Sequence, residues 1–299
     1  MVNVCLAGVT GWTAPPLVAA IDAAEDLSLT CGVSRSAAGK ALSAVGSTSN
    51  GFVYASVSDA LASAEVDVLV DFTSATAVKH HAWSAVKAGV HVVIGSSGLT
   101  SGDYDELDQL ARDRDVGVIA AGNFSIMVAV LRRAAAVAAR HLAYWEIVDY
   151  ASAGKSDVPS GTSRELAETL GQVRVPESAV PLADLHGPVE ARGTDVAGTR
   201  IHSVRLPSFV VTTEIVFAGA GERLVMRHDP GESPEPYVAG TLLAIRRVHE
   251  SAGVRRGPRL TAFRRALAGP SAEDRGRTPT PVRAAGPLGI YRTSRTVQR

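Results

Sequence analysis

Cysteine is nearly absent from this chain: Cys5 and Cys31 are the only two among 299 residues, which excludes a disulfide framework. Both sit inside apolar runs, VNVCLAG and LSLTCGV, and read as buried structural thiols of a reducing compartment. Net charge is absent as well. Lys plus Arg and Asp plus Glu balance at 30 each, so no global field draws in nucleic acid or an anionic membrane. No apolar run reaches the ~20 residues that span a bilayer, and MVNVCLAG lacks the charged and long apolar segments of a secretory signal. The expectation is a cytoplasmic protein with no membrane or nucleic-acid partner and no metal. Lysine is scarce: Lys40, Lys79, Lys87 and Lys155 are the only ones, and arginine supplies the remaining positive charge.

What is present is a regular alternation. The runs VNVCLAG, LSLTCGV, VDVLVDF, HVVIGSS and VGVIAAG are separated by helical patterns such as AVKHHAWSAVKAG and DYDELDQLARDRD. Continuous apolar runs alternating with amphipathic segments predict a parallel sheet covered on both faces, a Rossmann-like doubly wound α/β unit. The character changes after Asn123. SIMVAVLRRAAAVAARHLA reads as a mostly buried helix, YWEIVDY as a strand, and RIHSVRLPSFVVTTEIVFAGAGERLVMRH as long strands of a second, mixed open sheet. PYVAGTLLAIRRVHES returns to helical spacing. We assign 1–125 and 239–268 to a nucleotide-binding domain, 126–238 to an α+β substrate-binding and oligomerisation domain, and 269–299 to a flexible basic tail with six arginines.

The first strand runs into GVTGWTA, with Gly8 and Gly11 spaced as in a dinucleotide loop and Ala14 in the third position. Gly8, Thr10, Gly11, Trp12 and Thr13 would then carry backbone amides toward a pyrophosphate at a helix N-terminus; the competing reading is a plain tight turn. At the end of the second strand, Ser34, Arg35 and Ser36 stand where an NAD-binding fold places a carboxylate. Two hydroxyls and a guanidinium favour the extra phosphate of NADPH, with NADH use still open and a solvated loop arginine as the alternative.

VLVDFTSATAVKHHA, HVVIGSSGLT, VIAAGNFSIMV and KSDVPSGT occur in the order and spacing of the dihydrodipicolinate reductase family, which the chain resembles over about residues 2 to 268. The resemblance implies hydride transfer from NAD(P)H to a cyclic unsaturated dicarboxylate, and a homotetramer built by the second sheet. It implies cofactor contacts from Phe72 and Thr73, from Gly95, Ser96 and Ser97, and from Ala121, Gly122 and Phe124. Substrate contacts would come from Lys155, Ser160, Gly161 and Thr162. The last three make independent sense, because PSGT opens the helical pattern SRELAETL, and free amides with two hydroxyls form a carboxylate site.

The family pattern E-x-H-H-x-x-K-x-D-A-P-S-G-T lacks its histidine pair here: Ala151 and Ser152 stand for the two histidines. Neither replaces an imidazole as proton donor. Lys155 is the leading candidate for that role, with Tyr150 and Asp149 behind it. His80 and His81 read as packing or surface residues, and Asp157 as a cap for the helix start. Further departures are Val211 to Glu214 in a later strand, Ser233 where an arginine is usual, and Met127 and Ala129 after N-F-S. Three readings follow: a reductase of another small imine or unsaturated amino-acid-like substrate, the family's own 4-hydroxy-tetrahydrodipicolinate reduction, or a catalytically silent nucleotide-binding regulator.

Overall fold

Short runs rich in Val, Ile and Leu cannot bury both faces unless helices cover each side. The computed structural model, which describes residues 1–256, has that arrangement. Strands β1 (Val2–Ala7), β2 (Leu27–Val33), β3 (Phe52–Tyr54), β4 (Val68–Asp71), β5 (His91–Ile94) and β6 (Gly117–Ala120) are all parallel. Between them run α1 (Ala14–Asp22), α2 (Val57–Ser63), α3 (Val78–Lys87) and α4 (Ser101–Asp113). The start of α4 is closed by a capping box between Thr100 and Asp103, and α1 carries its prolines in the first turn, where a missing N–H costs nothing.

The chain then builds α5 (Ile126–Ala138), β7 (Tyr144–Ala151), α6 (Gly161–Gly171), β8 (Thr194–Val196), β9 (Thr199–Arg205), β10 (Val211–Gly219) and β11 (Glu222–His228). These strands form a second, mixed sheet in the order β11-β10-β7-β9-β8, in which only β7 and β9 are parallel. Finally α7 (Val238–Arg247) and β12 (Gly253–Arg256) return to the first sheet, whose order is β12-β6-β5-β4-β1-β2-β3. β3 and β12 were not legible as strands. The first has three residues, and the second carries two arginines.

The strand order reverses between β1 and β4, and a doubly wound sheet receives its ligand in the crevice beyond the C-terminal ends of the strands at such a point. One face of the first sheet packs Leu6, Leu17, Ile21 and Ile245 beneath α1 and α7; the other packs Cys5, Cys31, Val86 and Leu107 beneath α3 and α4. Cys5 and Cys31 are both fully buried.

On the second sheet, α5 and α6 cover one face over Trp145, Ile147, Leu166 and Phe217. The other face is open. For that reason α5 is not the mostly buried helix its composition suggested: Met127, Val130 and Val137 are exposed because the helix packs on one side only. Both sheets lie in one compact unit. The tail read at 269–299, and the assignment of 257–268, fall outside the described residues. No helix among the described residues is long and apolar enough to cross a membrane.

Candidate active site

At the crevice, Gly8 has φ +87°, and a Cβ there would lie 2.4 Å from the Phe72 carbonyl oxygen. Only glycine lets β1 and β4 end this close together. The Gly8 N–H is donated to Val33 O and that of Gly11 to Gly8 O, while the amides of Thr10, Trp12 and Thr13 meet no protein acceptor among the described residues. Three free N–H groups before α1 fit a diphosphate. Alongside, the hydroxyls of Thr10, Ser34 and Ser36 form a chain of 2.8 and 3.1 Å contacts. Arg35 is exposed, and no carboxylate pairs with it among the described residues.

Beneath this loop lies a group that pattern reading left out. Asp71, the last residue of β4, is fully buried. It accepts from Ser96 Oγ at 2.5 Å, Thr73 Oγ1 at 2.8 Å, Thr73 N at 3.1 Å and His81 Nδ1 at 2.7 Å. Burial pushes the Asp71 carboxyl up, but the bonds from His81, Ser96 and Thr73 outweigh it and hold the group below its usual range. The hydroxyls of Ser96 and Thr73 are therefore turned inward, and His81 is an Asp71 partner on α3, not a packing or surface residue. Ser97 is exposed at the rim, and Gly95 is required because a Cβ would lie 2.2 Å from the Phe72 ring. That ring is edge-packed on Phe124 at 5.9 Å.

On the second sheet the covered face changes character toward one end. Ile147 pairs with Ile215 and Ile201, and Ile215 with Met226, making an apolar row. Two residues along each strand, Asp149 pairs with Thr213 and Ser203, and Thr213 with His228, so the next row is polar. Asp149 is fully buried and accepts from Ser160 Oγ (2.5 Å), Ser160 N (2.9 Å), Ser163 Oγ (3.0 Å), Ser203 Oγ (3.2 Å) and Arg205 Nη2 (2.8 Å). Burial raises its carboxyl, but Ser160 and Arg205 prevail and keep it below its ordinary value. His228 closes the row, its Nε2 3.3 Å from Ser125 Oγ, and burial holds its imidazole below the usual histidine range.

The first turn of α6 docks on this row. Ser160 is the N-cap, with its oxygen accepting from Ser163 N and its proton given to Asp149. Its hydroxyl is spent on building the turn, which corrects the expectation of a free substrate hydroxyl. The amides of Gly161 and Thr162 meet no protein acceptor among the described residues and remain for an anion.

Lys155, in the loop between β7 and α6, is a quarter exposed, with Nζ 2.8 Å from Asp157 Oδ1. Asp157 thus pairs with the lysine and caps nothing, while its carbonyl accepts from Arg205. Tyr150 does not join them. Strand periodicity puts it on the open face, stacked on Phe209 at 5.2 Å with the Arg227 guanidinium 4.9 Å from its ring. Ala151 is fully buried at the end of β7.

The two halves meet at Gly122. Its N–H is donated to Glu165 Oε1 at 2.6 Å, and its carbonyl accepts from Thr162 Oγ1 at 3.4 Å. Asn123 Nδ2 donates to the same Thr162 hydroxyl at 3.2 Å. Ala121 and Phe124 are buried on either side.

Two family patterns match this architecture end to end: "Dihydrodipicolinate reductase, N-terminus" over residues 2–124 and "Dihydrodipicolinate reductase, C-terminus" over 124–257. The chain belongs to the dihydrodipicolinate reductase family. It is therefore an oxidoreductase of an NAD(P)H-dependent family, with a nicotinamide cofactor.

Among relatives named 4-hydroxy-tetrahydrodipicolinate reductase, that of Moorella thermoacetica is 40% identical over 194 residues, 65% of this chain and 72% of that protein. That of Geobacillus kaustophilus is 30% identical over 83% of this chain and 94% of its own length. A dipicolinate-bound dihydrodipicolinate reductase from Paenisporosarcina sp. TG-14 superposes with a TM-score of 0.68 at 26% identity, covering 86% of this chain and 98% of that one. An amine dehydrogenase from Mycobacterium smegmatis shares the fold, with TM-score 0.58 and 14% identity.

The family boundary at residue 124 coincides with the Gly122–Phe124 junction. The segment DFT at Asp71–Thr73 ends β4, GSS at Gly95–Ser97 follows β5, and PSGT at Pro159–Thr162 opens α6.

Proposed function

We propose that the protein is an NADPH-dependent reductase that delivers hydride to the C=N or conjugated C=C bond of a small, carboxylate-bearing cyclic imine. The observation that carries this reading is the pair of amides at Gly161 and Thr162, left without a protein acceptor among the described residues on the α6 turn that contacts Gly122, in a chain whose glycine loop leaves the amides of Thr10, Trp12 and Thr13 free as well. The nicotinamide, when bound, supplies the hydride. Amides of Thr10, Trp12 and Thr13 suit its diphosphate, and Ser34, Arg35 and Ser36 suit a ribose phosphate. The loop 121–124 and Gly95 border the nicotinamide end.

On the substrate side, the Gly161 and Thr162 amides hold a carboxylate, helped by the N-terminal end of the helix dipole. Hydride addition to carbon leaves a pair on nitrogen that needs a proton. Lys155 carries that proton at Nζ, and Asp157 keeps the ammonium oriented. Two buried thiols suit a reducing cytoplasm, and the open face of the second sheet suits a homotetramer.

A second reading, 4-hydroxy-tetrahydrodipicolinate reduction itself, is favoured by the near full-length match to the Geobacillus kaustophilus enzyme. NADPH consumption with freshly generated 4-hydroxy-tetrahydrodipicolinate, against a panel of cyclic imino acids, separates the two. Turnover of only the imino acids supports the first reading, and turnover on the order of 1–10³ per second with the former supports the second. No turnover with any of them overturns both.

A further inference from the structure

The junction at Gly122 is held by two bonds of unequal strength. Thr162 and Glu165 lie three residues apart in α6, on one face of the helix, and grip opposite ends of the same residue. Glu165 takes the N–H at 2.6 Å, whereas Thr162 reaches the carbonyl only at 3.4 Å, at the limit of a hydrogen bond. The Glu165 carboxylate is fixed from behind by Arg132 Nη1 at 2.9 Å from Oε2, with side-chain exposures of 17% and 13%.

Contact between the two loops is tight. A Cβ on Gly122 would lie 2.8 Å from the Gly161 carbonyl carbon, so the loop ending β6 and the first turn of α6 touch backbone to backbone.

We infer that Glu165 is a positioning residue that couples cofactor binding to substrate binding, by holding the 121–124 loop on α6 while the Thr162 hydroxyl changes partners. The inference rests on the proposed placement of a nicotinamide along that loop and a carboxylate at the α6 N-terminus. Thr162 has one hydroxyl proton, now given to Gly122 O. Giving it to an incoming carboxylate breaks that bond, and the bond is the weaker of the pair. The charge-assisted bond from Gly122 N to Glu165 persists, so the loop does not drift when the substrate engages the hydroxyl. A ligand seated on the loop or on the α6 turn orders the Gly122–Glu165 contact further, so the second ligand meets a site already ordered by the first; that difference is positive coupling, and linkage makes it reciprocal.

The test measures binding, not turnover. The dissociation constant of NADPH is determined by fluorescence with and without saturating dipicolinate, a planar dicarboxylate with no bond to reduce. The chains compared are the parent, Glu165→Ala, Glu165→Gln and Arg132→Met/Glu165→Leu. The parent is expected to bind NADPH about tenfold tighter with dipicolinate present, within the ordinary range of coupling. Glu165→Ala is expected to bring the ratio near one, and Glu165→Gln, which keeps an acceptor for the Gly122 amide, to restore most of it.

Should the alanine variant not fold, the double variant decides, since replacing a buried ion pair with apolar residues is commonly tolerated and leaves the amide unbound. It too is expected to lose coupling. Coupling unchanged in the alanine or double variant overturns the inference, as does a parent that binds both ligands independently; the proposed function survives either result. A parent that binds no NADPH overturns both.

Discussion

Asp149 and Tyr150 are neighbours in β7 with opposite fates. Asp149 faces the covered side and gathers five donors, while Tyr150 faces the open side beside Phe209 and Arg227. Lys155→Ala is accordingly expected to lower kcat about 10²-fold or more, the range for a lost proton donor. Tyr150→Phe is expected to leave kcat within about twofold; steady-state kinetics on the two variants checks both.

For Asp149 the consequence is stability. Its carboxyl is held below the unfolded value of about 3.9, so its stabilisation is fully present above that pH and is lost as pH falls through the folded value. Asp149→Asn, which leaves Arg205 without its buried partner, is expected to cost about 3–5 kcal/mol at neutral pH. Urea unfolding should show the gap to the parent narrowing as the pH falls below the unfolded value of about 3.9. Arg35 is a third residue-scale case. Arg35→Ala is expected to raise KM for NADPH about tenfold or more, the loss of one to two charge-assisted bonds, and to leave KM for NADH unchanged.

Helix α6 shows how far element-level reading reaches. PSGT before SRELAETL is an N-cap in any protein, and Ser160 caps as expected. Nothing local says that its proton goes to Asp149, eleven residues earlier, or that Glu165 faces the end of β6. In a helical pattern Glu165 is one more polar residue. Its function appears only when β6 delivers Gly122 within 2.6 Å.

The same holds for Asp71 and His81. The carboxylate at the end of an apolar run, VDVLVD, was a visible anomaly, but its partners come from α3 and the β5 loop. Gly122→Ala tests the element contact directly. Its Cβ would meet the Gly161 backbone, which has no rotamer to yield, so a loss of about 1–3 kcal/mol is expected in urea unfolding, the range for overpacking.

At the scale of the whole molecule, the open face of the second sheet carries Glu146, Val148, Tyr150, Val216 and Val225, with Val225 52% exposed. If this face joins the proposed tetramer, equilibrium sedimentation should give the mass of four 31.1 kDa chains. Val225→Glu is expected to dissociate them, because seating a carboxylate in an apolar contact requires stripping its water.

Composition and periodicity by themselves determined the doubly wound sheet, the mixed second sheet and the two loops that border the crevice. These are properties of short-range pattern: period two, period 3.6, and glycine where backbones approach. The tertiary structure alone decided which polar residues work together. Asp149, Thr213 and His228 are distant in sequence and form one buried row because antiparallel register aligns them. Tyr150 lost its expected place for the same reason, since a strand turns neighbouring side chains to opposite faces. Glu165 gained its place because the fold brings the end of one sheet against the first turn of a helix that covers the other, a contact between segments 43 residues apart.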